Sequence, residues 1–222
     1  MLSMSSIKPS PLPPTVQLPE YFHLVDVNHL TQLIADMLIR LTSHNDQIPL
    51  TSSNLTRFHS RAPPGISIPE YLKRIVKYAS IERVCLLILL IYIDRVCERH
   101  RGFTISSLTV HRFVITGITC ASKALCDSYL TNTMYAKVGG ITTKELNILE
   151  LEFLFLIDWH LAANVEMLQK YYANLVRQHP YYTRLTKPIL SPVSPSSTDS
   201  MVYSVVNSVQ MQRSSSEIEW VD

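Results

Sequence analysis

The sequence predicts an all-α protein, and three observations support this prediction. Of the 222 residues, 46% are hydrophobic and only five are glycine. Apolar residues recur at spacings of three and four along the middle of the chain, and the strict alternation that is typical of a β-strand is not found there. The 13 prolines cluster outside this middle part. We therefore predict one helical domain with its own core, at least six helices and no sheet.

The two ends of the chain are predicted to be disordered tails. Residues 1–22 and 186–222 are rich in serine and proline and show no helical period, so the folded domain should occupy residues 23–185. Three serines in these tails precede a proline and are minimal sites for a proline-directed kinase, although such dipeptides are frequent by chance in tails of this composition: Ser10, Ser191 and Ser194.

Capping residues predict where the first two helices begin. Asp26 is a candidate N-cap for an amphipathic helix over about residues 26–43. Ser67 and Glu70 have the spacing of a capping box, and Pro69 between them suits the first turn of a helix. A second helix is therefore predicted to start at this point.

The following two helices are predicted from their apolar pattern. Residues 81–98 are apolar on nearly all sides, as expected for a central helix that others surround. Residues 110–125 have helical spacing, and the small residues Gly117 and Ala121 would permit close packing of a neighbouring helix. The pair Gly139-Gly140 then predicts a turn.

Two more helices are predicted toward the C-terminal end of the domain. Thr142 and Glu145 form a second candidate capping box before a helix that continues to Ile157. Asn164 is predicted to cap a last helix through about Arg177. Three aromatic residues here are predicted to plug the end of the bundle, because aromatics at helical spacing are more often core than ligand-binding: Trp159, Tyr171 and Tyr172.

The composition and the absence of known catalytic motifs argue against several classes of function. A net charge of +2 is too small to favour nucleic acid or a membrane surface as the main partner. The sequence carries no glycine-rich phosphate loop and no protease, hydrolase or kinase motif set. The four cysteines and the histidines lack metal-ligand spacing, and reduced, buried thiols are expected. We therefore expect no cofactor, no metal, and no nucleic-acid or membrane partner.

Several segments in a fixed order resemble a cyclin box. Residues 119–127, 132–141 and 145–154 resemble its third to fifth helices. Their patterns Asn-x-x-Tyr-Ala-Lys-Val-Gly-Gly and Glu-Leu-Asn-x-Leu-Glu-x-x-Phe-Leu are similar to those of fungal phosphate-regulatory (PHO-type) cyclins and plant P/U-type cyclins. Upstream, residues 57–64 and 103–113 are similar to the fungal PHO-type cyclins in particular.

The resemblance, which spans about residues 26–185, implies a fold and a function. It implies a single five-helix cyclin box over about residues 66–178 with an extra N-terminal helix. Because no second helical repeat follows about Arg184, the second cyclin fold of cell-cycle cyclins is expected to be absent. The chain would be a regulatory subunit and not an enzyme, forming a heterodimer with a cyclin-dependent kinase that it activates.

The resemblance also implies a setting for this activity. It points to phosphate-starvation signalling, with a transcription factor as the substrate of the kinase and a kinase inhibitor as further partners. Nucleus and cytoplasm are the expected locations.

Three residues are implied to bind the kinase. In cyclins, a lysine on the third helix and a glutamate on the fifth bind the movable regulatory helix of the kinase, and the matching residues are Lys123 and Glu150. Asp127 falls where these cyclins carry an acidic residue near the kinase. Lys123 and Asp127 have, alternatively, the spacing of an ordinary surface ion pair on a helix, and Glu150 could be a solvated helix residue.

Other functions stay open from the sequence. The domain could be a helical adaptor or scaffold without kinase activation, or an enzyme whose site has no familiar pattern. Five basic residues could form a patch for an acidic or phosphorylated ligand, or could be solvated residues of a helix and a loop: Arg57, Arg61, Lys73, Arg74 and Lys77.

Overall fold

The computed structural model describes residues 15–51 and 54–185. Within these ranges the chain forms seven α-helices and one short parallel pair of strands, so the all-α prediction is confirmed. The helices are α1 (Val27–Asn45), α2 (Ile68–Ala79), α3 (Arg83–Arg99), α4 (Val110–Leu125), α5 (Asn132–Gly139), α6 (Thr143–Leu156) and α7 (Val165–Arg177). The strands are β1 (Val16–Leu18) and β2 (Tyr182–Arg184).

The helices match the expected bundle, including the last helix, α7, that Asn164 was predicted to cap. Helices α2–α6 correspond to the five expected box helices, and α1 is the extra N-terminal helix. Helix α7 follows them and packs on α3 and α1. The predictions for residues 1–14 and 186–222, including those for the three serines, lie outside the described residues.

The strands are a difference between the structure and the sequence prediction, which had no sheet and an N-terminal tail that included β1. The two strands tie the two ends of the domain together beside α7. Leu18 in β1 is buried, and the Tyr172 hydroxyl donates a hydrogen bond of 2.8 Å to the carbonyl of Pro19. Strands of three residues are too short to show a recognisable alternation, and this explains why the sequence pattern missed them.

Helix α3 is the centre of the bundle, as predicted. Ten of its residues are buried, and it packs against α1, α4 and α7. Close approach of α4 depends on Gly117, because a Cβ atom there would lie 2.7 Å from Cδ1 of Leu89 on α3. The prediction that a small residue permits close packing at this position is therefore confirmed.

Most of the predicted helix caps are present. The Asp26 carboxylate accepts a hydrogen bond from the backbone N–H of Asn28 at the start of α1. The capping box between Ser67 and Glu70 is complete, and Asn164 caps α7. These caps satisfy backbone donors that have no partner inside the helix, so the helices begin where the sequence predicts.

The second predicted capping box is only half formed. The Thr142 hydroxyl accepts a hydrogen bond of 3.1 Å from the backbone N–H of Glu145. The Glu145 carboxylate, however, accepts a bond of 2.7 Å from Arg112 of α4. Arg112 also donates to the Ser60 hydroxyl at 2.6 Å. The glutamate thus links α6 to α4 and does not cap its own helix.

Phe58 anchors the long connection between α1 and α2 to the core. Its side chain is fully buried. Its ring centroid lies 5.8 Å from that of Phe103, 5.9 Å from that of Phe113 and 6.5 Å from that of Phe153. Offset and edge-on contacts between aromatic rings add to the stabilisation from burial. The connection is therefore held in place by one aromatic cluster.

We expect Phe58→Ala to lower the free energy of unfolding by about 3–5 kcal/mol, because the substitution leaves a cavity among three rings. Equilibrium unfolding in urea measures this change. The control is Leu55→Ala in the same connection, where the side chain is 56% exposed and a change within about 0.5 kcal/mol is expected. Equal, small losses in the two variants would contradict the anchoring role.

Candidate functional site

The structure brings Lys123 and Glu150 together, although 27 residues separate them in the sequence. Lys123 lies in the last turn of α4, and Glu150 lies in the middle of α6, which packs against α4. The lysine Nζ atom is 2.6 Å from Oε1 and 2.9 Å from Oε2 of the glutamate. The side chains are 32% and 16% exposed, so the pair lies at the surface and is partly shielded from water.

The local sequence explains this placement. Helix α4 buries Ala121 and Ser122 on the side next to Lys123, and α6 buries Leu149 next to Glu150. Each charged residue therefore lies at the border between a buried and an exposed helix face. A cation in the last turn of a helix also interacts favourably with the helix dipole.

Asn132 is the third member of this site. Its Nδ2 atom donates one hydrogen bond of 2.7 Å to Oε2 of Glu150 and another of 2.7 Å to Oδ1 of Asn147. Together with the two contacts from Lys123, the Glu150 carboxylate has three close donor contacts. The sequence analysis used Asn132 only as part of a motif and gave it no role, because a single asparagine carries no chemical signature of its own.

Asp127, which the resemblance to cyclins places near the kinase, lies outside α4. Helix α4 ends at Leu125, Cys126 has an extended backbone with a ψ of 139°, and Asp127 lies exposed in the bend that follows. The alternative of a helical ion pair between Lys123 and Asp127 is therefore wrong, since Lys123 pairs with Glu150. Among the residues that the structure describes, Asp127 has no ion-pair partner within 4 Å.

An exposed apolar surface on α6 adjoins the ion pair, and we call it the α6 ridge. It consists of Ile148, Leu151, Phe155 and Trp159, which are 38%, 51%, 63% and 44% exposed. The first three have the spacing of one helix face. Contiguous exposed apolar surface on a globular protein marks an interaction site. The capping and spacing patterns did not predict the ridge, although α6 contains more apolar residues than a single core-facing stripe requires.

Trp159 corrects a prediction, because it belongs to this ridge and does not plug the bundle. Its backbone φ is 59°, in the left-handed region that is unfavourable for a bulky residue. Its ring packs edge-on against Phe155 with centroids 5.9 Å apart. Of the other two predicted plug residues, Tyr172 is buried, and Tyr171 is partly exposed and donates a hydrogen bond to Asp94.

Three of the five basic residues make contacts within the domain. Arg57 pairs with Glu152 of α6 at 3.3 Å. Arg74 donates to a backbone carbonyl of α5, and Lys77 lies over the ring of the tyrosine that follows it. These contacts join the three residues to different parts of the domain, and a common patch for an acidic ligand stays a prediction.

The structure describes no group that suggests a metal or a reactive thiol. Within residues 15–51 and 54–185, no three His, Cys, Asp or Glu side chains could hold a metal ion. All four cysteines are free, and burial raises the pKa of Cys97 and of Cys120. Burial lowers the pKa of His59 and His111. In the same described part of the chain, every helix is too short or too polar to span a bilayer.

Comparison with known proteins identifies the family. The family model named "Cyclin" matches residues 28–161, which is more than half of the chain. The chain is 47% identical over 180 residues to "Nuc-1 negative regulatory protein preg" of Neurospora crassa, covering 80% of this chain and 37% of that protein. It is 43% identical over 152 residues to "PHO85 cyclin PHO80" of Saccharomyces cerevisiae, covering 67% of this chain and 52% of that protein.

A plant relative is covered more completely. The chain is 36% identical over 174 residues to "Cyclin-U4-1" of Arabidopsis thaliana, covering 77% of this chain and 84% of the relative. By contrast, the matches span only about a third and about half of the lengths of the two fungal proteins. The resemblance to fungal PHO-type and plant U-type cyclins is confirmed, and the chain belongs to the cyclin family.

Proposed function

We propose that this chain is the regulatory subunit of a cyclin-dependent kinase, and that it binds and activates the kinase through α4 and α6. The observation that carries the proposal is the Lys123–Glu150 pair at the edge of the α6 ridge. The ridge supplies apolar area for a partner, and the pair supplies a charged donor and a charged acceptor beside it. This combination fits an incoming helix, which presents both apolar side chains and polar groups.

Binding energy alone is enough for this chain to activate a kinase, without the chain itself catalysing a reaction. Moving a kinase from 1:99 to 99:1 in favour of its active arrangement requires about 5.5 kcal/mol of preferential binding to that arrangement. A hydrogen bond to a charged group contributes about 1.5–3 kcal/mol, and apolar burial on the ridge adds to it. A few contacts of this kind on the movable helix of the kinase are therefore sufficient. Asp127, exposed beyond the end of α4, is proposed as a further contact.

The relatives suggest the type of kinase. The yeast relative is named as a cyclin of PHO85, and we extend this partnership to a PHO85-type kinase for the present chain. Phosphate-starvation signalling, a transcription factor as the kinase substrate, a kinase inhibitor as a further partner, and activity in nucleus and cytoplasm are parts of the same proposal.

A reconstitution experiment tests the proposed function. The full chain is mixed with a purified PHO85-type kinase, and complex formation is measured by isothermal titration calorimetry and size-exclusion chromatography. Phosphorylation of a serine-proline peptide then measures activation. We expect a 1:1 complex and a kinase rate at least tenfold above that of the kinase alone. Binding without a rate increase would favour the scaffold alternative, and failure to bind would overturn the proposal.

A further inference from the structure

We infer that Asn132 is a positioning residue of this surface, whose side-chain amide fixes the orientation of the Glu150 carboxylate. The role in kinase binding rests on the proposed function, because Glu150 is itself a proposed kinase contact. The positioning of the carboxylate, however, is a property of the free protein. It can therefore be tested with and without the kinase.

The Asn132 amide has two hydrogen-bond acceptors, and these allow only one orientation of its nitrogen and oxygen atoms. Both of its N–H bonds are used, one on Oε2 of Glu150 and one on Oδ1 of Asn147, each at 2.7 Å. Rotating the amide by 180° would place its own oxygen against these two acceptors. The nitrogen must therefore face Glu150.

This orientation leaves a polar atom without a partner. Oδ1 of Asn132 is buried and has no hydrogen-bond donor among the described residues. A buried acceptor without a donor is unfavourable, and an alanine at this position would avoid it. The amide therefore needs a compensating gain. Its two bonds to α6 provide a reason, and one of them goes to the Glu150 carboxylate.

Lys123 alone does not fix the plane of the carboxylate. An ammonium group is a compact charge on a flexible stem, so it attracts a carboxylate without defining its rotation. Asn132 is different, because it is the first residue of α5, and Tyr135 and Ala136 in the same helix are buried. The α5 backbone thus holds the amide at a fixed point, and the carboxylate is oriented between α4 and α5.

A double-mutant cycle tests the inference in the complex. We expect Asn132→Ala to weaken kinase binding about five- to tenfold in the wild-type chain, as for loss of one hydrogen bond to a charged group, and less than about twofold in a Glu150→Ala background. A control is Asn174→Ala on α7, which should bind like the wild type. Equal weakening of binding by Asn132→Ala in the two backgrounds would overturn the inference.

A second variant adds a pH readout that a merely structural role would not produce. Asn132→Asp places a new carboxylate beside that of Glu150, and their repulsion, which the neighbouring Lys123 ammonium offsets only in part, raises the pKa of the two carboxyl groups. We expect kinase binding by this variant to be weaker at pH 8 than at pH 6, with the wild type as the reference at each pH. The same pH dependence in Asn132→Asp and Asn132→Ala would count against the inference.

Crystal structures of the free wild-type chain and of Asn132→Ala test, in the absence of the kinase, whether Asn132 positions the Glu150 carboxylate. We expect the Glu150 carboxylate to be ordered in the wild type and rotated or disordered in the variant, with α5 and α6 unchanged. An unchanged carboxylate would overturn the inference even if the kinase binds. If the wild-type chain binds no kinase, the proposed function fails, and these structures still decide whether Asn132 positions Glu150.

Discussion

Glu150→Lys is expected to weaken kinase binding by about 100-fold or more. The variant removes the proposed acceptor for the kinase and places a second cation beside Lys123, whose Nζ atom lies 2.6 Å from the Glu150 carboxylate in the wild type. Disrupting a hydrogen-bonded charge pair at an interface costs about 2–5 kcal/mol, and each 1.4 kcal/mol is a factor of about ten in Kd. Titration calorimetry with the purified kinase measures the change.

The variant chain should still fold. The two side chains are 32% and 16% exposed, so losing the ion pair and the bond from Asn132 should cost more than the roughly 0–1 kcal/mol of a fully exposed pair, about 1–3 kcal/mol, which is less than the roughly 5–15 kcal/mol stability of a typical domain. Thermal unfolding of the free chain checks this expectation. A matched control is Glu166→Lys, the same charge change on α7, a helix that packs on α3, β2 and α1. It should bind the kinase like the wild type.

The swapped variant, with Lys123→Glu and Glu150→Lys together, separates a structural pair from a recognition pair. The swap restores an attractive pair within the free chain, so thermal stability should recover most of the loss seen in Glu150→Lys, while the hydrogen bond that Asn132 donates to Glu150 is not restored. Kinase binding should stay weak, because donor and acceptor now face the partner in reversed positions. If the swapped variant binds as the wild type does, the pair holds α4 to α6 and does not recognise the kinase.

The sequence predicted the helices well because each has a strong local signal. Side-chain caps begin α1, α2 and α7, and nearly continuous apolar residues mark α3 as the central helix. These signals depend on residues within one or two turns of each other. The short pairing of β1 with β2 depends on residues more than 160 positions apart, and no local sequence pattern predicts it.

The site was predicted unevenly for the same reason. Periodicity places Lys123 and Glu150 on two helices but says nothing of their distance, and only the resemblance to cyclins predicted that they share a surface. The helical ion pair between Lys123 and Asp127 was wrong because α4 ends at Leu125, as the spacing of residues 110–125 predicts, and Asp127 lies beyond this end. The kinase contact of Asp127 stays a prediction.

The apolar residues of the α6 ridge were visible in the sequence, but only Trp159 was given a role, as part of the core. An amphipathic helix of a monomeric protein needs one apolar stripe, and in α6 that stripe consists of Leu146, Leu149 and Phe153. Ile148, Leu151 and Phe155 form a second apolar stripe, which the fold leaves exposed. A surplus of apolar residues on a helix that already has a complete core face therefore predicts an interaction surface.

Leu151→Asp and Phe155→Asp on the α6 ridge are each expected to weaken kinase binding by about 30-fold or more, because truncating a central apolar contact of an interface costs about 2–4 kcal/mol. The free energy of unfolding of the free chain should change by less than about 0.5 kcal/mol, since the two side chains are 51% and 63% exposed. Calorimetric Kd values and urea unfolding measure the two effects on the same samples.

Phe153→Ala is the matched control, because it lies two residues from Phe155 and points into the core, where it is fully buried. It should lower the free energy of unfolding by about 3–5 kcal/mol, as for other buried phenylalanines. Under conditions in which it is still folded, it should bind the kinase with a Kd close to that of the wild type. Substitutions on the two faces of α6 would then have different effects. Those on the ridge would weaken kinase binding, and Phe153→Ala on the core face would lower the stability of the fold. Wild-type binding by Phe155→Asp would remove the ridge from the kinase interface, and the exposed apolar stripe would need a different partner.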